Sequence, residues 1–225
     1  MILFLLIFLL LPTSALAMEQ QPLAIPESNQ RLFSTIRNAY EVTRNSDDSD
    51  KAFKTIQSIL NEPNFDITMV NEDKKSAFYL IIESFRWSRS RHRNLDPHYY
   101  PALIDLIIKH PTFDSNIQDS AWWTPSIMAT EAGDLETLRK LLQIPTININ
   151  AQDKEERTAL YYAATADSPL RRKPLITLLR EHGAQVSNPL FEQIAQHNKI
   201  VEERDYDKFE FVDNEIIELL KQDHL

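Results

Sequence analysis

Asp119-Ser-Ala-Trp-Trp-Thr124-Pro-Ser-Ile-Met-Ala129 and Asp153-Lys-Glu-Glu-Arg-Thr158-Ala-Leu-Tyr-Tyr-Ala163 are one phrase written twice, 34 residues apart (119 to 153, 124 to 158). The residues before them agree as well: Ser115-Asn-Ile-Gln aligns with Ile149-Asn-Ala-Gln. A fixed period of this length is the signature of a stacked solenoid. Each unit is too small to bury its apolar face alone, so neighbours stack and share one continuous core.

The unit around the first copy reads as two helices. Thr124-Pro125 opens the first, with a residue that can cap and a proline tolerated in the first turn. Ala132-Gly133-Asp134 breaks it, and Asp134 is placed to cap the second. Leu135, Leu138, Leu141 and Leu142 then recur at helical spacing and form one apolar face. Pro145 ends that helix, and Thr146-Ile-Asn-Ile-Asn150 is expected to leave in extended form. In the next unit, residues 159–166 form a first helix, Leu175, Ile176, Leu178 and Leu179 face a second, and Gly183 supplies the left-handed residue that ends it.

Earlier units emerge once an insertion is allowed. Asn71-Glu-Asp-Lys-Lys-Ser76-Ala-Phe-Tyr matches the Asp119 phrase at a spacing of 48 (71 to 119, 76 to 124), so about 14 extra residues intervene. They fall after a first helix at 77–85, in the basic stretch Arg86 to His98. A second helix resumes with Leu103, Ile104, Leu106 and Ile107. The closing phrase His110-Pro111-Thr-Phe-Asp parallels Ile144-Pro145-Thr-Ile-Asn and, further upstream, Glu62-Pro63-Asn-Phe-Asp. Helices at 29–44 and 52–60 make an N-terminal unit, and helices at 189–204 and 214–221 a final pair. The expected fold is therefore all-α: about five helix-pair units, at roughly 29–67, 68–115, 116–149, 150–187 and 188–225, capped at both ends.

Residues 1–17 stand apart. Ile2 to Leu11 is an unbroken apolar run, followed by small residues ending in Ala15-x-Ala17. This pattern predicts a secretory signal cleaved after Ala17, with residues 18–28 a linker. The run is short of the roughly 20 apolar residues that span a bilayer. No Lys or Arg precedes it, so an uncleaved anchor and a start at Met18 stay open as alternatives.

Composition excludes several classes of function. The net charge of −9 argues against a nucleic-acid partner. Two isolated glycines, Gly133 and Gly183, cannot build a phosphate loop or a nucleophile elbow. The absence of cysteine removes disulfides, thiolate metal sites and thiol catalysis. Six scattered histidines form no His-x-x-x-His pair. No catalytic residue, metal site or cofactor is expected.

Thr124-Pro125, Ala129, Ala132-Gly133-Asp134-Leu135, Leu141-Leu142 and the Gly183-Ala184 ending resemble the ankyrin repeat, over about residues 29–222 and most strongly over 119–187. The resemblance implies a solenoid that recognises another protein, without chemistry of its own. This sequence departs from the repeat in two places. The opening histidine is Tyr79, Ile127 and Tyr161 here, and the turn glycine is Lys74, Trp122 and Glu156. A side chain forced into a left-handed turn costs roughly 1–2 kcal/mol, so the hairpin tips are expected to be reshaped.

By that resemblance the partner-binding candidates are the tips: Trp122 and Trp123, with Lys74, Lys75, Glu155, Glu156 and Arg157. Tyr79, Tyr161 and Tyr162 are expected on the concave side or in the core. Arg86, Arg89, Arg91 and Arg93, and in the next-but-one unit Arg171, Arg172 and Lys173, are expected in two basic loops along one edge. Between them the Gly133 break would leave a notch, which gives the alternative of a binder of anionic lipid or phosphate, while an uncleaved N-terminal helix gives that of a membrane-tethered scaffold. The last 27 residues carry nine Asp/Glu against four Lys/Arg and should cap the solenoid. A monomer is expected, touching a membrane only if the N-terminal segment is uncleaved. A signal without cysteines fits a secreted or periplasmic protein, or an effector exported to a host.

Overall fold

The computed structural model describes residues 25–42, 46–63, 65–90, 99–186, 188–204 and 212–221. The expected signal segment, most of the linker, and Arg91 and Arg93 lie outside the described residues. Ten helices are seen among those residues: α1 (Glu27–Val42), α2 (Ser46–Leu60), α3 (Ala77–Ser90), α4 (Tyr99–Ile108), α5 (Pro125–Glu131), α6 (Leu135–Leu142), α7 (Ala159–Ala164), α8 (Pro169–Glu181), α9 (Asn188–Arg204) and α10 (Asn214–Lys221). The fold is an all-α helical-repeat solenoid.

Two layers result. The odd-numbered helices stack on one another in the order α1, α3, α5, α7, α9, and the even-numbered ones stack in the order α2, α4, α6, α8, α10. Between the layers runs one apolar core. Phe78 and Ile81 of α3, Ile104 and Ile107 of α4, Ile127 of α5, Leu138 and Leu141 of α6, Leu160 of α7 and Leu179 of α8 are essentially inaccessible. No helix among the described residues is long and apolar enough to cross a membrane.

The helix ends follow their side chains. Thr124 Oγ1 accepts the Ile127 N–H at the start of α5, with Pro125 in its first turn. Asp134 Oδ1 accepts the Thr137 N–H at the start of α6. Gly133 (φ +66°) and Gly183 (φ +90°) take the left-handed conformation. At each, the N–H of the following residue reaches back to a carbonyl five residues earlier, Asp134 to Ala129 and Ala184 to Leu179. That bond closes the exposed carbonyl end of the helix.

Four local expectations are corrected. The 146–150 link is not extended; it is two successive turns, closed by Ile147 N–H to Ile144 O and Ala151 N–H to Asn148 O. Its asparagines lace adjacent units. Asn116 donates to Thr146 O and accepts from Asn148 N–H, and Asn150, 34 residues on, does the same to Gly183 O and Gln185 N–H. The hairpin tips are not reshaped: Lys74, Trp122 and Glu156 all keep positive φ, at 59°, 63° and 60°. The side chain of the residue that opens each hairpin compensates, as Asn71, Asp119 and Asp153 accept the N–H of Lys75, Trp123 and Arg157.

The third correction concerns the basic stretches. Residues 86–90 continue α3, and residues 169–173 form the first turns of α8. Pro169 suits the first turn of α8, and the helix runs on through an internal Pro174. Arg172 is fully buried and donates from Nε to Ala166 O at 2.9 Å. Fourth, the Gly133 notch is filled: a Cβ at Gly133 would lie 2.8 Å from Cδ and Nη1 of Arg171. The insertion after α3 is bridged by Phe85 stacked on Tyr100 at 4.0 Å, and the Tyr100 hydroxyl donates to Asp134 at 2.8 Å.

Candidate functional site

The inner helices expose a stripe set by helical spacing. On α3, Tyr79, Ile82, Glu83 and Arg86 follow at i, i+3, i+4 and i+7, which places them on one face. Opposite them stand Met128 and Glu131 of α5, with Trp123 from the hairpin tip before it. Together these residues enclose a cavity of about 380 Å³ between the second and third units, at the small end of ligand-binding clefts. Ile82 and Met128 form its apolar floor, while Tyr79 and Trp123 are half-buried walls.

The polar rim is paired. Glu83 Oε1 accepts from Lys75 Nζ at 2.8 Å and, more weakly, from the Tyr79 hydroxyl at 3.5 Å. Lys75 also sits over the Tyr79 ring at 4.7 Å, an arrangement that favours a cation. Burial alone would lower the Lys75 pKa, but the bond to Glu83 and the nearby tyrosine outweigh it and the pKa rises. Across the cavity, Arg86 Nη1 meets both oxygens of Glu131, at 2.6 and 2.8 Å. Burial pushes the Glu131 carboxyl above its ordinary value; Arg86 opposes this and Asp167 adds to it.

The stripe continues along the next unit. Trp123 meets Tyr162 edge-on at 5.1 Å, and Tyr162 meets Tyr161 edge-on at 5.3 Å. Beneath them lies Asp153, whose side chain is wholly inaccessible. Its Oδ2 accepts the Tyr162 hydroxyl at 2.6 Å and Arg157 Nε at 2.9 Å, while its Oδ1 accepts the N–H of Glu155 and of Arg157. The Arg157 guanidinium lies over both tyrosine rings, at 5.5 and 5.2 Å. Burial first, then the bond to Asp153, raises the Tyr162 pKa far above its usual value. This tip is therefore locked from below.

The sequence candidates divide. Trp122 stands out from its tip, 53% exposed, and Lys74, Glu155 and Glu156 are exposed beside it along the row of tips. Trp123 does not stand out: it turns down onto Tyr162 and walls the cavity. Lys75 and Arg157 are half-buried members of the aromatic face, not free tip charges. On the basic edge, Arg86 is held by Glu131, Arg172 is buried, Arg171 lies over Gly133, and Lys173 is 3.7 Å from Glu215. Arg89 lies on α3. Ile82, Glu83, Met128 and Glu131 were missed. Their signal was the spacing Tyr79-Ile82-Glu83-Arg86 set against the repeat register, which puts Met128 and Glu131 on the facing helix.

Residues 97–189 match the model for ankyrin repeats, in three copies. Residues 97–189 carry ankyrin repeats. The match covers α4 to α8 and the hairpins of Trp122 and Glu156, where the fold is most regular. A comparison with curated proteins finds no match. Ankyrin repeats are a protein–protein interaction architecture, in which the inner helices and hairpin tips present a continuous side-chain surface. In this chain the inner helices present the aromatic stripe from Tyr79 through Trp123 to Tyr161, with Trp122 at its rim.

Proposed function

We propose that this chain is a non-catalytic recognition module that grips another protein along its inner helices and hairpin tips, and that it works outside the cytoplasm after cleavage behind Ala17. The observation that carries the binding face is the continuity of Tyr79, Trp123, Tyr161 and Tyr162 with the exposed Trp122. Large, rigid aromatic rings in a desolvated groove are what interface hot spots are made of. The basic edge offers less, because Arg86 and Arg172 already have buried or paired positions. Export rests on the apolar run and the Ala15-x-Ala17 motif alone.

Two measurements test the reading in the cells that make the protein. A photo-crosslinking residue at Trp122 or Tyr161 should capture a partner, and one at Leu170, exposed at the start of α8 in the outer layer, should not. Capture from Leu170 alone refutes the inner face. Intact mass should show a chain that begins at Met18, recovered outside the cytoplasm. A full-length chain in the membrane fraction would make it a tethered scaffold instead.

A further inference from the structure

The geometry points to the cavity between α3 and α5 as a socket for one apolar side chain of the partner, with an adjacent arginine or lysine of the same segment bound by Glu83. This rests on the inner-face reading above and names the chemistry that face selects.

The floor decides the apolar half. Ile82 is buried and Met128 is 2% exposed, so the cavity base offers no hydrogen bond and favours a hydrocarbon. About 380 Å³ takes a leucine- or phenylalanine-sized group and leaves room for part of the residue beside it. Methionine at the base and a tryptophan wall adapt to either shape.

The rim decides the charged half. Of the two carboxylate oxygens of Glu83, Oε1 takes Lys75 and Tyr79, while Oε2 has no hydrogen bond to any described residue. It is an open acceptor at the cavity edge. Among the described residues, the carboxylates of Glu83, Glu131, Asp119 and Asp167 act on the lining side chains, against the cations Lys75 and Arg86. Among those described residues the excess is negative, and the whole chain carries −9. Both oxygens of Glu131 engage Arg86 Nη1, and the Glu83 carboxylate would repel an arriving anion. The tyrosine faces add to the preference. Tyr79, which lines the cavity, already carries Lys75 over its ring, and aromatic faces attract cations.

The test uses the full chain labelled with ¹⁵N and four acetylated, amidated hexapeptides, glycine-flanked, with Arg-Leu, Lys-Phe, Glu-Leu or Arg-Ser at the centre. The reporter is the Trp123 indole N–H, assigned from its loss in Trp123→Phe. Arg-Leu and Lys-Phe should shift it, and Glu-Leu and Arg-Ser should bind at least about tenfold more weakly, the scale of one charge-assisted hydrogen bond or one buried side chain. Glu83→Gln should weaken Arg-Leu about tenfold, and Glu83→Lys should reverse the preference towards Glu-Leu, with the remaining resonances unchanged as the check on folding. Equal binding of Glu-Leu and Arg-Leu, or no movement of Trp123 with any peptide, overturns the proposal. If the peptides fail while photo-crosslinks from Trp122 or Tyr161 persist, the inner face stands and the socket falls. If crosslinks come only from the outer layer, both fall.

Discussion

Asp119 and Asp153 open equivalent hairpins 34 residues apart, and the structure predicts that removing them has unequal effects. Each carboxylate accepts two backbone N–H groups: Ala121 and Trp123 for Asp119, Glu155 and Arg157 for Asp153. That shared loss resembles the loss of a helix cap and costs about 1 kcal/mol, because water reaches the tips. Only Asp153 also binds side chains, Tyr162 at 2.6 Å and Arg157 at 2.9 Å. Asp153→Ala leaves the Tyr162 hydroxyl without its acceptor at a site 8% exposed, worth about 1–3 kcal/mol. The Arg157 side chain is more than a quarter exposed, so its charge rehydrates and adds little. The expected costs are about 1 kcal/mol for Asp119→Ala and about 3 kcal/mol for Asp153→Ala. Urea unfolding followed by circular dichroism reads both, with the slope of each transition checked because repeat arrays can lose cooperativity. Tyr162→Phe in the Asp153→Ala background should cost much less than alone, which a double-mutant cycle measures directly. Equal losses for the two alanine variants would refute the claim that the side-chain lock, rather than the turn, stabilises the fourth unit.

Three further outcomes are expected. Lys74→Gly and Glu156→Gly remove positive-φ strain at side chains that project into solvent; each should raise stability by about 0.5–1 kcal/mol after the added chain entropy of glycine, and a loss in urea titrations would show the tips to be unstrained. Arg86→Ala removes the cation that holds the Glu131 carboxyl down, so ¹³C-detected titration should place Glu131 higher still. A carboxyl whose folded pKa is raised contributes stability that is present below its unfolded pKa and lost as pH rises through the folded one; the destabilisation by Arg86→Ala should therefore be larger at neutral pH than near pH 4, and the reverse order would refute the pairing. Arg172→Ala opens a cavity and leaves the Ala166 carbonyl unpaired, so it should cost about 2–4 kcal/mol by urea unfolding, whereas a solvated loop arginine would cost almost nothing.

How much was legible depended on range. The period, the caps at Thr124 and Asp134 and the left-handed Gly133 and Gly183 are local signals, each carried by residues within a few positions of one another. Conformation that hangs on distant partners was not legible. A left-handed Trp122 contradicts local preference, and it stands because Asp119 binds the flanking N–H groups and the unit is clamped between neighbours. The basic character of 171–173 suggested a solvated loop, yet Arg172 is buried because helix α8 begins earlier and turns it towards the Ala166 carbonyl.

The sequence by itself determined the solenoid, since a 34-residue repeat of apolar helix faces has no way to bury them except against its own neighbours. It also placed Trp122 and Trp123 at a hairpin tip. Only the tertiary structure decided which way each points, because that depends on Tyr162 in the adjoining unit. The cavity, likewise, belongs to no single repeat: Glu83 and Arg86 come from one unit and Trp123, Met128 and Glu131 from the next, and their meeting is set by how two packed helices register, which no stretch of sequence states alone.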